Sequence, residues 1–274
     1  MPAINTITVD KLIRLIGTPN CPDMIDIGVD PDRHMIPGSR RPTVAAMPDW
    51  TGGYGSGPVV VVCDDGGPAS QGVAAWLRQA GIDADHVEGG RGAWIEAGFP
   101  TIDPIALPPL DADGRTLWVT RARPKVDRIA CPWLIRRFVD PAAMFLFVAA
   151  PQVDAIAERM GATPFDVEGV RWSHDGDRCT FDVMVEAFGL GSSTALMHLA
   201  AIVRGADTGH PDLVPEAAGL LALSLGLSRM YADDHEQLDA GMLVYDALYR
   251  WCRDATTETH NWTSHVAPRS RERS

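Results

Sequence analysis

With 274 residues, 46% hydrophobic and 22% charged, the chain can bury a large core in one domain or two. A formal charge of −12 argues against non-specific nucleic-acid binding, and no apolar run reaches the roughly 18 residues a membrane span needs. Five cysteines with no CxxC pair fit free thiols in a reducing cytoplasm, and MPAINTITVDKL lacks a signal-peptide pattern. The expectation is a cytoplasmic protein with no membrane partner.

In chain order, the pattern predicts a short helix at about 8–16 and an apolar strand, MIDIGV, at 24–29. HMIPGS (34–39) reads as a turn and TGGYGSGP (51–58) as a loop. Val59–Val62 is a β-branched run that suits a buried strand ending at Cys63. Gly66, Gly67 and Pro68 break the chain before a helix at 70–80, and ADHVEGG and RGAWIEAGF give a further strand and helix. Strands alternating with helices at this spacing predict an α/β unit with a central, mostly parallel sheet flanked by helices. PTIDPIALPPLDADG (100–114) holds four prolines and no helical period, so it reads as a linker. Beyond it, strands are expected at 116–122 and 144–149, and helices at about 152–160, 180–188, 194–204, 215–230 and 235–253. The expected organisation is an α/β unit at 1–103, a Pro-rich linker at 104–115, a mainly helical α+β unit at 116–254 and a polar, Arg-rich tail at 255–274.

IDIG…HMIPGS (25–39), VVVVCDDGGPASQGVAAWL and VEGGRGAWIEAGFP (87–100) together resemble the rhodanese family. The resemblance implies a loop cysteine that carries a persulfide, with backbone N–H groups and a helix N-terminus stabilising the charged sulfur. In the common family pattern the nucleophile precedes the helix-opening serine by six residues. Counted from Ser70, that slot holds Asp64, which cannot carry a sulfane sulfur, and Cys63 becomes the last strand residue. The alternative register keeps Cys63 as the catalytic thiol in a longer loop. That loop resembles the phosphatase and arsenate-reductase branch, yet Gly67, Pro68 and Ala69 stand where its oxyanion-binding Arg belongs. Asp64 and Asp65 also raise a neighbouring thiol's pKa and repel anionic thiosulfate. The expectation is an accessory unit whose loop is degenerate, with sulfurtransfer at Cys63 as the alternative.

TRARPKVDRIACPWLIRRFVDPAAMFLFV (120–148) carries the second half's chemistry. Six of the chain's 24 basic residues, Arg121, Arg123, Lys125, Arg128, Arg136 and Arg137, fall within seventeen positions. Pro132 suits the first residue of a helix at 132–139, which puts Cys131 near its N-cap. A thiol there, among guanidinium groups, is a candidate for a lowered pKa and redox chemistry. Arg121, Arg128, Arg136 and Arg137 offer forked donors to a tetrahedral dianion. The alternative is solvated arginines and a packed, inert thiol.

This segment, with GATPFDVEGVRWSHDGDRCTFD (161–182), IVRGADTG (202–209), PEAAGLLALSLGLS (215–228) and YDALYRWC (245–252), resembles the C-terminal domain of the chromate-resistance ChrB family. The resemblance implies a cytoplasmic chromate-resistance protein in which chromate or a related small oxyanion is substrate or signal. A chromate-responsive regulator is within that family's range.

Further polar residues bear on metal binding. His174, Asp207, Asp234 and His235 are the right ligand types for a transition-metal ion, although their spacing forms no metal signature. Cys179 and Asp182 lie near His174 in sequence, and His210 near Asp207. Asp233 and Asp234 equally suit a helix cap, and His198 a helix surface. Direct DNA binding by a regulator is a further alternative, weak for so acidic a chain without a helix-turn-helix signature. Homo-oligomerisation stays open.

Overall fold

A computed structural model describes residues 5–28, 30, 34–41 and 57–258; Val29, most of TGGYGSGP and most of the expected tail lie outside them. The first unit is built around β4 (Val59–Val62), with β2 (Asp23–Asp26) and β5 (Ala84–Val87) on either side. β1 (Thr6–Ile7) and β3 (Ser39–Arg40) complete an all-parallel sheet of order β1-β5-β4-β2-β3. All four valines of β4 are buried, as a strand covered on both faces requires. Val59 and Val61 pack with Ile25 against Val73, Ala74 and Leu77 of α2 (Pro68–Gln79). Val60, Val62 and Met24 face the other way, towards Leu12 of α1 (Val9–Leu12) and Trp94 of α3 (Gly90–Glu96). This is the parallel sheet flanked by helices that the rhodanese resemblance implied.

That second face belongs to a core running through both units, since Trp133, Phe138 and Tyr249 share its cluster. Gly17, at φ +77°, marks the closest approach: a Cβ there would lie 2.3 Å from Phe138 and 2.7 Å from Tyr249. Only glycine takes this conformation and leaves room for both rings. The Pro-rich segment between the units is also fixed, with Ile102 bridging to Met35, a 3-10 turn at Pro104–Ala106 and Leu110 bridging to Thr116.

In the second unit, β6 (Leu117–Arg121) is the middle strand of a parallel sheet ordered β7-β6-β8. β7 (Met144–Val148) lies near its expected place, whereas β8 (Thr163–Pro164) is two residues long and was not expected. α4 (Asp127–Leu134) connects β6 to β7, and α5 (Val153–Met160) connects β7 to β8. α6 (Thr180–Ala187), α7 (Thr194–Asp207), α8 (Ala217–Met230) and α9 (Asp234–Asp254) follow, all close to the predicted spans.

One expectation is corrected. Pro132 does not open a helix; it lies inside α4, which begins at Asp127 and widens into a π turn at Ile135–Val139. The preference of proline for a first turn yields to burial, because every residue from Ile129 to Ile135 is inside the core. Val126, at φ +32°, sets the start instead.

Candidate metal centre

The segment between β6 and α4 is held in an unusual conformation. Arg123 and Val126 have positive φ, at 61° and 32°. Such backbone persists only where its surroundings over-determine it. Here Val126 N–H donates to Ser224 Oγ (2.9 Å) and Tyr245 O–H donates to the Val126 carbonyl (2.9 Å). Gln237 donates to the Pro124 carbonyl, and the Arg123 guanidinium to the carbonyls of Ser228 and Tyr231. Helices α8 and α9 thus clamp the turn, and the next residue, Asp127, is delivered fully buried.

Asp127 meets three other groups at the carboxyl-terminal edge of β6 and β8, where open parallel sheets commonly place ligands. His174 Nε2, from the loop after β8, lies 3.1 Å from Asp207 Oδ2, 3.4 Å from Asp166 Oδ1 and 3.6 Å from Asp127 Oδ2. Asp127, His174 and Asp207 each offer a ligand atom, all within 4.8 Å of one another.

Protein groups fix the carboxylates from behind. Asp127 Oδ2 accepts from Thr180 N (2.6 Å) and Phe181 N (3.4 Å) at the start of α6. Its Oδ1 is buried and has no hydrogen-bond partner among the described residues. Asp207 Oδ1 accepts from Asp127 N (3.4 Å), and Asp166 Oδ1 accepts from Thr180 Oγ1 (3.1 Å). Asp166 Oδ2 faces Arg121 (3.3 Å) and Arg128 (3.2 Å).

The electrostatics follow from this crowding. Burial, then the charges of Asp207 and Asp166, push the Asp127 carboxyl well above the usual range. Asp207 is pushed up by burial and then by Asp166. Such a cluster needs protons or a cation to be tolerable.

A cleft of about 580 Å³ opens beside it, lined by Arg121, Asp166, Glu168, Ser173 and His174 among others. The Nε–H groups of both Arg121 and Arg128 are buried without a hydrogen-bond partner among the described residues. For Arg128, Nε approaches Asp166 Oδ2 without hydrogen-bond alignment.

The sequence-predicted residues divide. His174, Asp207, Arg121 and Arg128 come together. Asp234 Oδ1 instead accepts from Arg123 N (3.1 Å), and His235 packs edge-on against the Phe147 ring. Arg136 and Arg137 lie elsewhere: Arg137 forks onto Asp246, and Arg136 covers the Phe145 ring 3.7 Å from Asp239. The four arginines therefore do not form one pocket.

The expected activated thiol is also corrected. Cys131 is fully buried inside α4, and burial with the nearby Asp127 carboxylate pushes its pKa well up, not down. Cys179 is shifted the same way, by burial and then the Asp127 carboxylate. Asp182 caps α6 and binds Arg204, Asp233 caps α9, and His198 rests on Trp251.

Sequence reasoning missed Asp127 and Asp166. One signal was present for the first, as Asp127 is the only acidic residue within the basic run 121–137.

In the first unit, Cys63 is 5% exposed, with its Sγ 3.0 Å from Ser70 Oγ and 3.4 Å from Asp65 Oδ1. Asp65 Oδ1 also accepts from Gly67 N (2.8 Å), so a carboxylate already occupies a loop amide. Those two bonds hold Asp65 below the usual carboxylate range. Asp64 faces a cleft of about 590 Å³ and pairs with Arg91, whose other arm binds Asp26 at 2.9 Å.

Fold and site together define a parallel α/β unit joined to a helix-rich domain that carries a carboxylate–imidazole centre. Residues 118–252 match the sequence model of the ChrB, C-terminal domain family. The second unit carries that family's domain. Protein ChrB of Cupriavidus metallidurans is 38% identical over 119 residues, 43% of this chain and 35% of that protein. The chain thus spans about a third of the length of the curated relative it matches. Among solved structures, a rhodanese-like domain protein from Staphylococcus aureus is 28% identical, over 33% of this chain and 91% of that one (TM-score 0.31). A rhodanese-related protein from Thermoplasma volcanium is 22% identical, over 36% of this chain and 97% of that one (TM-score 0.30). Among the described residues no helix is long and apolar enough to cross a membrane.

Proposed function

We propose that the second unit binds chromate, or a tetrahedral oxyanion like it, in the cleft beside Asp166 and His174, and that the protein acts as a cytoplasmic receptor in chromate resistance. The observation that carries this reading is the pair of buried Nε–H donors on Arg121 and Arg128 that lack an acceptor. A donor of that kind costs about 1–3 kcal/mol unless an acceptor arrives. A tetrahedral dianion offers paired oxygens to both guanidiniums. The buried, protonated thiols of Cys131 and Cys179 favour binding over reduction of the oxyanion. The first unit then serves as an accessory domain without sulfur transfer.

Equilibrium dialysis with radiolabelled chromate, and with molybdate as a non-oxidising analogue, tests the reading. Arg121→Ala and Arg128→Ala should each weaken binding at least about tenfold, the equivalent of about 1.4 kcal/mol. Arg136→Ala, outside the cleft, should bind as the parent chain does. Parent-like binding by both the Arg121 and the Arg128 variants would remove the assignment.

A further inference from the structure

We infer that Asp127, Asp166, Asp207 and His174 form a binding site for one divalent first-row transition-metal ion. The inference goes beyond the oxyanion reading and does not depend on it. Acidic residues gather on many surfaces without a ligand, so the burial and orientation of these groups carry the argument. Asp127 is 0% exposed, and its Oδ1 has no hydrogen-bond partner among the described residues. That carboxylate offers an oxygen to the same point as His174 Nε2 and Asp207. An unpaired buried carboxylate oxygen is expensive, and a cation is the partner that also relieves the repulsion from Asp207 and Asp166.

The way each ligand is held supports the same conclusion. Every carboxylate is held by the protein through at least one oxygen. For Asp127 the partners are the amides of Thr180 and Phe181; for Asp207, the Asp127 amide; for Asp166, Arg121 and Arg128 on one oxygen and the Thr180 hydroxyl on the other. In each case a further oxygen or lone pair remains for the centre. Metal ligands are typically oriented by outer partners in this manner. They also come from four separate places in the chain: the start of α4, two residues after β8, the end of α7 and the loop before α6. Only the folded chain assembles them.

The donor set selects the ion. Three carboxylates and an imidazole, with no thiolate offered to the centre, suit manganese(II), iron(II) or zinc(II). A soft copper(I) ion lacks its sulfur ligands here, and calcium or magnesium would leave the imidazole unused.

The test uses the full chain, stripped with EDTA and dialysed, titrated with manganese chloride and zinc chloride alone by isothermal calorimetry. One equivalent of at least one ion should bind. Asp127→Asn, which preserves side-chain shape, and His174→Ala, on a half-exposed loop, should each weaken binding at least about tenfold. Circular dichroism establishes that the variants fold. Bound manganese should in addition show an altered paramagnetic resonance spectrum that His174→Ala abolishes. No binding by the parent chain, equal binding by parent and both variants, or binding of calcium and magnesium in preference, would overturn the site. Because no oxyanion is present, these outcomes are separate from failure of the chromate reading.

Discussion

Replacing Asp127 by Asn should stabilise the metal-free protein, although it removes a fully buried charged group that receives two backbone amides. At the 4.8 Å that bounds the ligand atoms, two like charges at an effective permittivity of 20 repel by roughly 3.5 kcal/mol. The metal-free chain can escape this by keeping Asp127 protonated. Holding a carboxyl of ordinary pKa neutral at pH 7 itself costs about 4 kcal/mol. By either route the parent carries about 3–4 kcal/mol that asparagine avoids. Against this, a neutral acceptor binds the Thr180 and Phe181 amides less strongly, by about 1–2 kcal/mol. The net gain is about 2 kcal/mol, or roughly 4–8 °C in Tm for a chain of this size. Differential scanning calorimetry in EDTA measures it. The parent should also lose stability as pH rises through the raised Asp127 pKa, since the folded state holds a proton the unfolded chain has released; the variant should lose less. In manganese or zinc the variant's advantage should shrink, because an ion at a hundred times the parent's Kd adds about 2.7 kcal/mol to the parent and only about 1.4 kcal/mol to a variant that binds about tenfold more weakly. A variant less stable than the parent in EDTA, by a margin that metal leaves unchanged, would show that Asp127 serves only to cap α6, and the reasoning would fail.

Four other outcomes are expected. Gly66→Ala puts a Cβ 2.6 Å from both Gly89 N and Val87 O at φ +67°, so it should cost roughly 3 kcal/mol or more in urea unfolding. Asp246→Ala strands the Arg137 guanidinium and the buried Trp133 indole N–H, a loss of about 3 kcal/mol by the same assay. Native protein should leave Cys131 and Cys179 unlabelled by iodoacetamide at pH 8, as intact mass and peptide mapping would report, because burial and nearby carboxylates hold both as thiols. Thiosulfate should add no sulfur to Cys63, and a thiosulfate:cyanide assay should read background; turnover lost in Cys63→Ser would reverse that reading.

Periodicity made most of the fold legible, because long apolar patterns such as those of α7 and α9 leave little choice of face. It could not reveal β8, two residues of which one is proline, since that pairing is imposed by β6. Pro132 misled for a related reason: a weak positional preference lost to a segment buried on every side. The site was half legible. His174 and Asp207 have recognisable ligand chemistry, but which acids join them is a tertiary matter. Asp234 and His235 looked equally suitable, yet Arg123 N–H engages Asp234 and the Phe147 ring engages His235. Asp127 and Asp166 entered through the strained turn before α4 and the loop after β8, where sequence pattern is silent.

The basic run and the acidic centre are best understood as one device. Arg121 and Arg128 are anchored on Asp166, so their charges are already spent against the three carboxylates. Metal-free, the centre is negative, or neutral when Asp127 holds a proton, and it offers a dianion little attraction. A divalent ion turns the same groups net positive without moving any of them, while the arginine Nε–H donors remain available. Oxyanion affinity should therefore rise with metal. Molybdate binding measured by equilibrium dialysis should strengthen at least about tenfold on adding manganese or zinc. His174→Ala should erase that increment while Arg121→Ala lowers binding in both conditions. Equal molybdate affinity in EDTA and in metal would show that the two sites are uncoupled.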